Sequence, residues 1–207
     1  MNVSQFIPRS ETHYPGRTSA VIEICNKPRK VYQPVPEILH LSLKDIKDEI
    51  VKNKCNVDAV TITGIEPLSL PETLELITFF SIRGFHVKID TDSTCNDLLE
   101  SVIDMVECVG IYLDHRPWVG DRFFDTLRIA INNKKHYDVR TVYHNGLSFS
   151  ELDRISHELP IETNWVILKA QETKDHTPQD VDLESLTILA NIFTKREIIT
   201  TLIGFDQ

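Results

Sequence analysis

Short apolar runs alternate along this chain with longer stretches whose apolar positions recur at helical spacing. The run 18–25, centred on Ala20-Val21-Ile22, reads as a buried strand. Ser42 with Asp45 three residues later is a capping-box pair, and it opens a helix reaching about residue 54. A second strand spans 57–63. Pro71 then starts a helix carrying Leu74, Ile77 and Phe80, and Gly84 lies just past its end as a left-handed cap. The same rhythm continues with a strand over 85–90, a helix over 96–105 and a strand over 108–113. Phe124, Leu127 and Ile131 fall at i, i+3 and i+7 of a helix over 121–134. A strand over 137–143, a short helix over 150–158 and a sixth strand over 163–168 follow. A polar loop, 171–180, leads to a last helix over 183–193 and a β-like tail over 198–203.

Strands alternating with helices imply right-handed βαβ units around a parallel sheet. Six such units either close partway as a barrel or lie open and doubly wound, and the pattern leaves both open. In either case ligands gather at the carboxyl ends of the strands. The 207 residues, 41% hydrophobic, suit one domain over 1–207, with a core over about 14–170 and a C-terminal helix and tail over about 181–207. No run of eighteen apolar residues occurs, so no membrane association is expected. The N-terminus lacks a basic segment followed by an apolar one, so a cytoplasmic location is expected. A formal charge of −9, with basic residues only in pairs such as Lys134-Lys135 and Lys195-Arg196, argues against nucleic-acid binding. Cysteines at 25, 55, 95 and 108 form no CxxC, and the eight histidines place no i, i+4 pair on one helix, so zinc is not signalled.

The predicted strand-end loops carry Cys25, Gly64-Ile65-Glu66-Pro67, Asp90-Thr91-Asp92, Asp114-His115-Arg116-Pro117 and Lys169, while Arg140 lies within the fifth strand. Closure of the barrel would bring Glu66, Asp90, Asp114, Arg116 and Arg140 together. Three carboxylates and two guanidiniums suit a zwitterionic ligand bearing an amine and a carboxylate, or a cation between Asp90 and Asp114. The alternative is that these charges pair with one another or solvate loop tips.

The motifs also resemble a known family. The segment 60–68 with its Gly64-Ile65-Glu66-Pro67, and the segment 85–91 ending Asp90-Thr91, are similar to the Gly-Gly-Glu-Pro region and its sequel in radical-S-adenosylmethionine proteins. The likeness is greatest to the activating enzymes of anaerobic ribonucleotide reductase and pyruvate formate-lyase. Tyr14-Pro15-Gly16-Arg17 resembles their approach to the first strand, 108–117 their segment ending Asp-Ile-Lys-Ala-Pro, and 137–142 the strand that carries an arginine to the cofactor. The resemblance runs collinearly over about 14–169 and implies a partial (β/α)6 TIM-like barrel. It implies further that Glu66 and the backbone at Gly64 and Ile65 hold the methionine amino group of S-adenosylmethionine. Asp90 and Asp114 match acidic positions flanking the cofactor and, in the pyruvate formate-lyase type, a monovalent cation. Arg116 stands where a lysine contacts the cofactor, and Arg140 matches the contacting arginine.

Three departures change what the resemblance implies. The family's CxxxCxxC supplies three thiolates to a four-iron, four-sulfur cluster, whereas here Cys25 is followed by Arg29 and Tyr32 at the other two positions. Ile65 replaces a second glycine, and Asp92-Ser93 stands where an Asn-Gly turn is common. The preferred reading is a cluster-deficient pseudoenzyme that binds S-adenosylmethionine or a nucleotide, or modulates a protein partner such as a glycyl-radical enzyme or an intact activating enzyme. The alternatives are an active activating enzyme whose cluster is completed by unusual ligands, and a purely structural or interaction protein.

Overall fold

The computed structural model describes residues 2–25, 42–113, 120–143, 149–169 and 183–203. Among them, eight strands form one sheet in chain order: β1 (Asn2–Ser10), β2 (Ser19–Cys25), β3 (Ala59–Gly64), β4 (His86–Thr91), β5 (Cys108–Tyr112), β6 (His136–Tyr143), β7 (Asn164–Lys169) and β8 (Ile199–Ile203). β1 runs antiparallel to β2, and every later pairing is parallel. A helix follows each strand from β2 to β7: α1 (Leu43–Lys52), α2 (Pro71–Ser81), α3 (Asn96–Val102), α4 (Gly120–Asn132), α5 (Phe149–Glu158) and α6 (Leu183–Thr194).

Local chemistry sets several of these boundaries. Ser42 and Asp45 form the reciprocal capping box at the start of α1, and Pro71 occupies the first turn of α2. Gly84 takes φ +72, and its N–H reaches the Ser81 carbonyl while Phe85 N–H reaches that of Phe80, the paired bonds of a left-handed helix stop. The helix expected over 96–105 is divided, because its last turn, Ile103–Met105, tightens to a 3-10 turn.

Six strands and a tail were legible; β1 is an addition. Its sequence breaks the usual strand signal, with apolar Val3, Phe6 and Ile7 on both faces and Pro8 inside. An edge position makes Pro8 harmless, since no outer neighbour needs its missing N–H, and the pairing with β2 is irregular between Ile7 and Ser10.

Alternation along the strands divides the sheet chemically. Val60, Ile62, Val87, Ile89, Val109, Ile111 and Val139 belong to one large core with apolar residues of the helices. Lys88, Asp90, Asp138 and Arg140 lie one residue out of phase and face the other way, and they too are buried. That second face must be concave. Arg140, on β6, donates from Nη2 to the His13 carbonyl in the β1–β2 turn at 2.7 Å. In a flat sheet β2 and β6 would stand about 19 Å apart, four strand spacings. The sheet is therefore rolled, and the β1–β2 turn closes its N-terminal end, with Tyr14 packed on Ala59 and Cys108.

Candidate functional site

Two polar groups occupy the regions to which the sequence pointed, and they are separate. The first lies inside the rolled sheet. Lys88 Nζ is 2.6 Å from Asp90 Oδ1 and 3.1 Å from Asp138 Oδ1, and Asp138 Oδ2 accepts from Arg140 Nε. All four side chains are within 2% of complete burial. Burial alone would raise the Asp90 carboxyl, but Lys88 and Arg140 hold it below the ordinary carboxylate range. Burial and the neighbouring Arg140 work against the Lys88 charge, yet Asp138 and Asp90 outweigh them and raise it. Arg140 is raised as well: burial opposes its charge, and Asp90 and Asp138 overcome that. The result is two cations and two anions in a buried, neutral set.

β5 crosses this set at Gly110, whose register places it beside Asp90 and Asp138. A Cβ built there would stand 2.1 Å from Asp90 Oδ1 and 2.6 Å from Lys88 Nζ, so the glycine is the space through which β4 and β6 share charge. Asp90 and Arg140, both candidate cofactor ligands, are thus joined through Lys88 and Asp138. Lys88 also serves as the counter-ion that a bound cation would otherwise supply to Asp90.

The second group sits at the carboxyl ends of β3 and β4. Glu66 follows β3 and caps the 3-10 turn Pro67–Ser69, where Oε1 accepts from Leu68 N at 3.0 Å. Oε2 accepts from the Thr91 hydroxyl at 2.6 Å and from Asp92 N at 3.1 Å. Thr91 lies out of phase with Asp90, so Glu66 is turned to the opposite face of β4 from the charge set. The expected convergence of Glu66 with Asp90 and Arg140 is not what the fold produces. Burial, then contact with the Asp92 side chain, pushes the Glu66 carboxyl up to about 7 despite the Thr91 bond. Ile65 beside it is 56% exposed.

Gly64 ends β3 at φ +149, and a Cβ there would fall 2.1 Å from the Ile24 carbonyl oxygen. The backbones of β2 and β3 are therefore in close contact at their tips, an approach that only a glycine at 64 allows. Cys25 is the last residue of β2. Asp114, Arg116 and the neighbouring His115 and Trp118, like Arg29 and Tyr32, lie outside the described residues. Trp165 is buried against Phe193 with its indole N–H on Thr141.

Lys88, Asp138, Gly110 and Thr91 were not singled out from the sequence. A signal for the first two was present: Lys88 with Asp90, and Asp138 with Arg140, are i, i+2 charge pairs inside otherwise apolar strands, which places each pair on one face.

The turn after β4 departs from an Asn-Gly pair in a way the backbone explains. Ser93 holds φ +69, the left-handed conformation that glycine adopts freely, and its buried hydroxyl has no hydrogen-bond partner. Ser93→Gly is expected to stabilise the protein by about 1 kcal/mol, read as a higher urea midpoint at unchanged slope.

Among the described cysteine side chains no iron–sulfur donor set is assembled. Cys108 starts β5 at the opposite end of the sheet, and burial pushes its thiol up to about 12. Cys55 precedes β3, also at that end, whereas Cys95 follows β4 at the Glu66 end with its thiol raised by burial and by Glu66. Among the described residues no three His, Cys, Asp or Glu side chains are grouped to hold a metal ion.

No family model matches the sequence, and no curated protein matches it. Among solved structures, Streptococcus suis SuiB is similar in two crystal structures, one of them bound to S-adenosylmethionine. Each has a TM-score of 0.59 and 17% identity over 78% of this chain. The fold of this chain is thus a partial α/β barrel like that of SuiB. The chain spans 43% of the length of SuiB. TYW1 with a lysine-pyruvate adduct bound aligns over 74% of this chain and 54% of its own, at 17% identity and a TM-score of 0.47. No described helix is long and apolar enough to cross a membrane.

Proposed function

We propose that this chain is a cluster-deficient relative of the radical-S-adenosylmethionine activating enzymes that binds S-adenosylmethionine or a related nucleoside without radical chemistry. The Glu66 carboxylate at the strand ends carries the reading. It lies at the carboxyl ends of β3 and β4, on a fold shared with a protein crystallised with S-adenosylmethionine. The ionised Glu66 carboxylate, whose Oε1 accepts from Leu68 N, suits the ligand's ammonium group. The donor set at Cys25, Arg29 and Tyr32 supports the absence of a cluster, and with it the absence of reductive cleavage.

Isothermal titration with S-adenosylmethionine tests the reading directly; no heat at millimolar ligand would remove it. The affinity is expected to rise between pH 6 and pH 8, because Glu66, with its carboxyl near 7, is mostly neutral at the lower pH and ionised at the higher. Glu66→Gln is expected to weaken binding at pH 8 by roughly 10- to 100-fold, the worth of a bond to a charged acceptor, and to flatten the pH profile. Anaerobic reconstitution with iron and sulfide separates this reading from an active enzyme: a brown, cluster-bearing protein would replace it. A protein partner is the second reading, favoured by Ile65, whose exposed side chain sets an apolar contact on the same rim.

A further inference from the structure

The β4–α3 turn is held in an unfavourable backbone conformation through one side chain. Ser93 is left-handed without being glycine, and its N–H donates to Thr91 Oγ1 at 3.0 Å. Thr91 in turn donates its hydroxyl proton to Glu66 Oε2, and Asp92 N–H donates to the same oxygen. The carboxylate thus terminates a chain of bonds running from the end of β3 through Thr91 to Ser93. It also anchors its own loop through Leu68 N–H. Bonds to an ionised acceptor are about twice as strong as bonds to a neutral one. The strain at Ser93 therefore persists only while the acceptor is charged and available.

We infer that the Glu66 carboxylate is a releasable clasp on the Thr91–Ser93 turn, opened when it is neutralised or drawn to another donor. A proton is the simplest opener. Among the described residues the titratable groups facing Glu66 are the Asp92 carboxylate and the Cys95 thiol. The thiol, raised by burial, stays neutral through pH 8, so Asp92 is the charge that works against ionised Glu66. Asp92 is also held from the far side, where its Oδ1 accepts from Thr94 N–H and the Thr94 hydroxyl. Protonated Glu66 can donate to Asp92 while its grip on Thr91 Oγ1 and Asp92 N–H weakens, and Ser93 is then free to leave the left-handed region. The clasp operates in the unliganded protein, so it stands whether or not the rim takes S-adenosylmethionine.

Amide hydrogen exchange on the full chain, without ligand, tests the clasp. The probe is protection of the Asp92 and Ser93 amides, corrected for intrinsic chemistry and divided by that of Val109 in β5, which removes changes in global stability. Relative protection is expected to rise about tenfold from pH 6 to pH 8 in the wild-type protein, the size of one charge-assisted bond. Glu66→Gln is expected to abolish the rise. Thr91→Val, which keeps the carboxylate and removes one donor, is expected to lower protection of Ser93 at pH 8 while Asp92 retains its pH response. A flat wild-type profile overturns the inference, as does a rise that survives in Glu66→Gln. Unchanged Ser93 protection in Thr91→Val overturns it without depending on the Gln variant folding.

Discussion

Lys88→Met is expected to cost about 3–5 kcal/mol of folding stability at neutral pH, measured by urea denaturation. The variant keeps the shape of the side chain and removes its charge. What remains inside the rolled sheet is Asp90 and Asp138 sharing a single cation, Arg140. Asp90 loses the counter-ion at 2.6 Å, in a fully buried position. Breaking one member of a buried set is costly because the survivor's charge is left uncompensated.

The pH dependence of that loss has a definite sign. In the wild-type protein the Asp90 carboxyl sits below its ordinary value, so its contribution is present at neutral pH and is lost as pH falls through the folded-state value. Without Lys88, burial dominates and the carboxyl titrates at higher pH. The variant's deficit should therefore shrink on mild acidification, as Asp90 takes up a proton and ceases to be an unpaired charge. Adding Asp90→Asn to Lys88→Met should recover much of the loss at neutral pH, because Arg140 and Asp138 then form a self-contained pair. A single variant as stable as wild type would mean that water or rearrangement supplies what Lys88 does. The four charges would then be incidental to the fold.

That network also shows where sequence reading succeeds and where it stops. Periodicity located the helices and parallel strands because each element buries one stripe or face, and burial writes its period into the sequence. Capping at Ser42 and the stop at Gly84 were legible for a similar reason, each being a local demand met by local residues. Arg140 and Asp90 were legible as candidates from their strands. Their partners were not, since pairing across β4, β5 and β6 depends on register, and a shift of one residue would turn every side chain to the other face. The same limit explains Glu66. Its position after β3 was visible, but whether it turns toward Asp90 or toward Thr91 is settled by the loop that follows, where Pro67 and Leu68 fold its carboxylate back onto the 3-10 turn. β1 was hidden for a different reason: an edge strand tolerates the proline and mixed pattern that an interior strand could not.

Gly64→Ala is expected to be among the most damaging small substitutions in the protein, at roughly 2–6 kcal/mol. Two costs add: an L side chain in a disfavoured backbone region, and overpacking of a tight contact, each about 1–3 kcal/mol. The group in the way is a backbone carbonyl, Ile24 O, which also belongs to the β2–β3 pairing at Ile24 and Gly64. Moving it opens the ends of two central strands, so no side-chain rotation offers relief. Gly16→Ala is the matched comparison. Gly16 has φ +74 with nothing within 4 Å of its would-be Cβ, so only the conformational cost applies, about 1 kcal/mol. If thermal or urea unfolding ranks the two variants equally, the contact between Gly64 and the Ile24 carbonyl is looser than its geometry indicates. If Gly64→Ala folds after all, the displacement should stay at the β2–β3 tips, and Ser93 protection on the Glu66 clasp should be retained, because the bonds of the clasp run through Thr91 and Asp92.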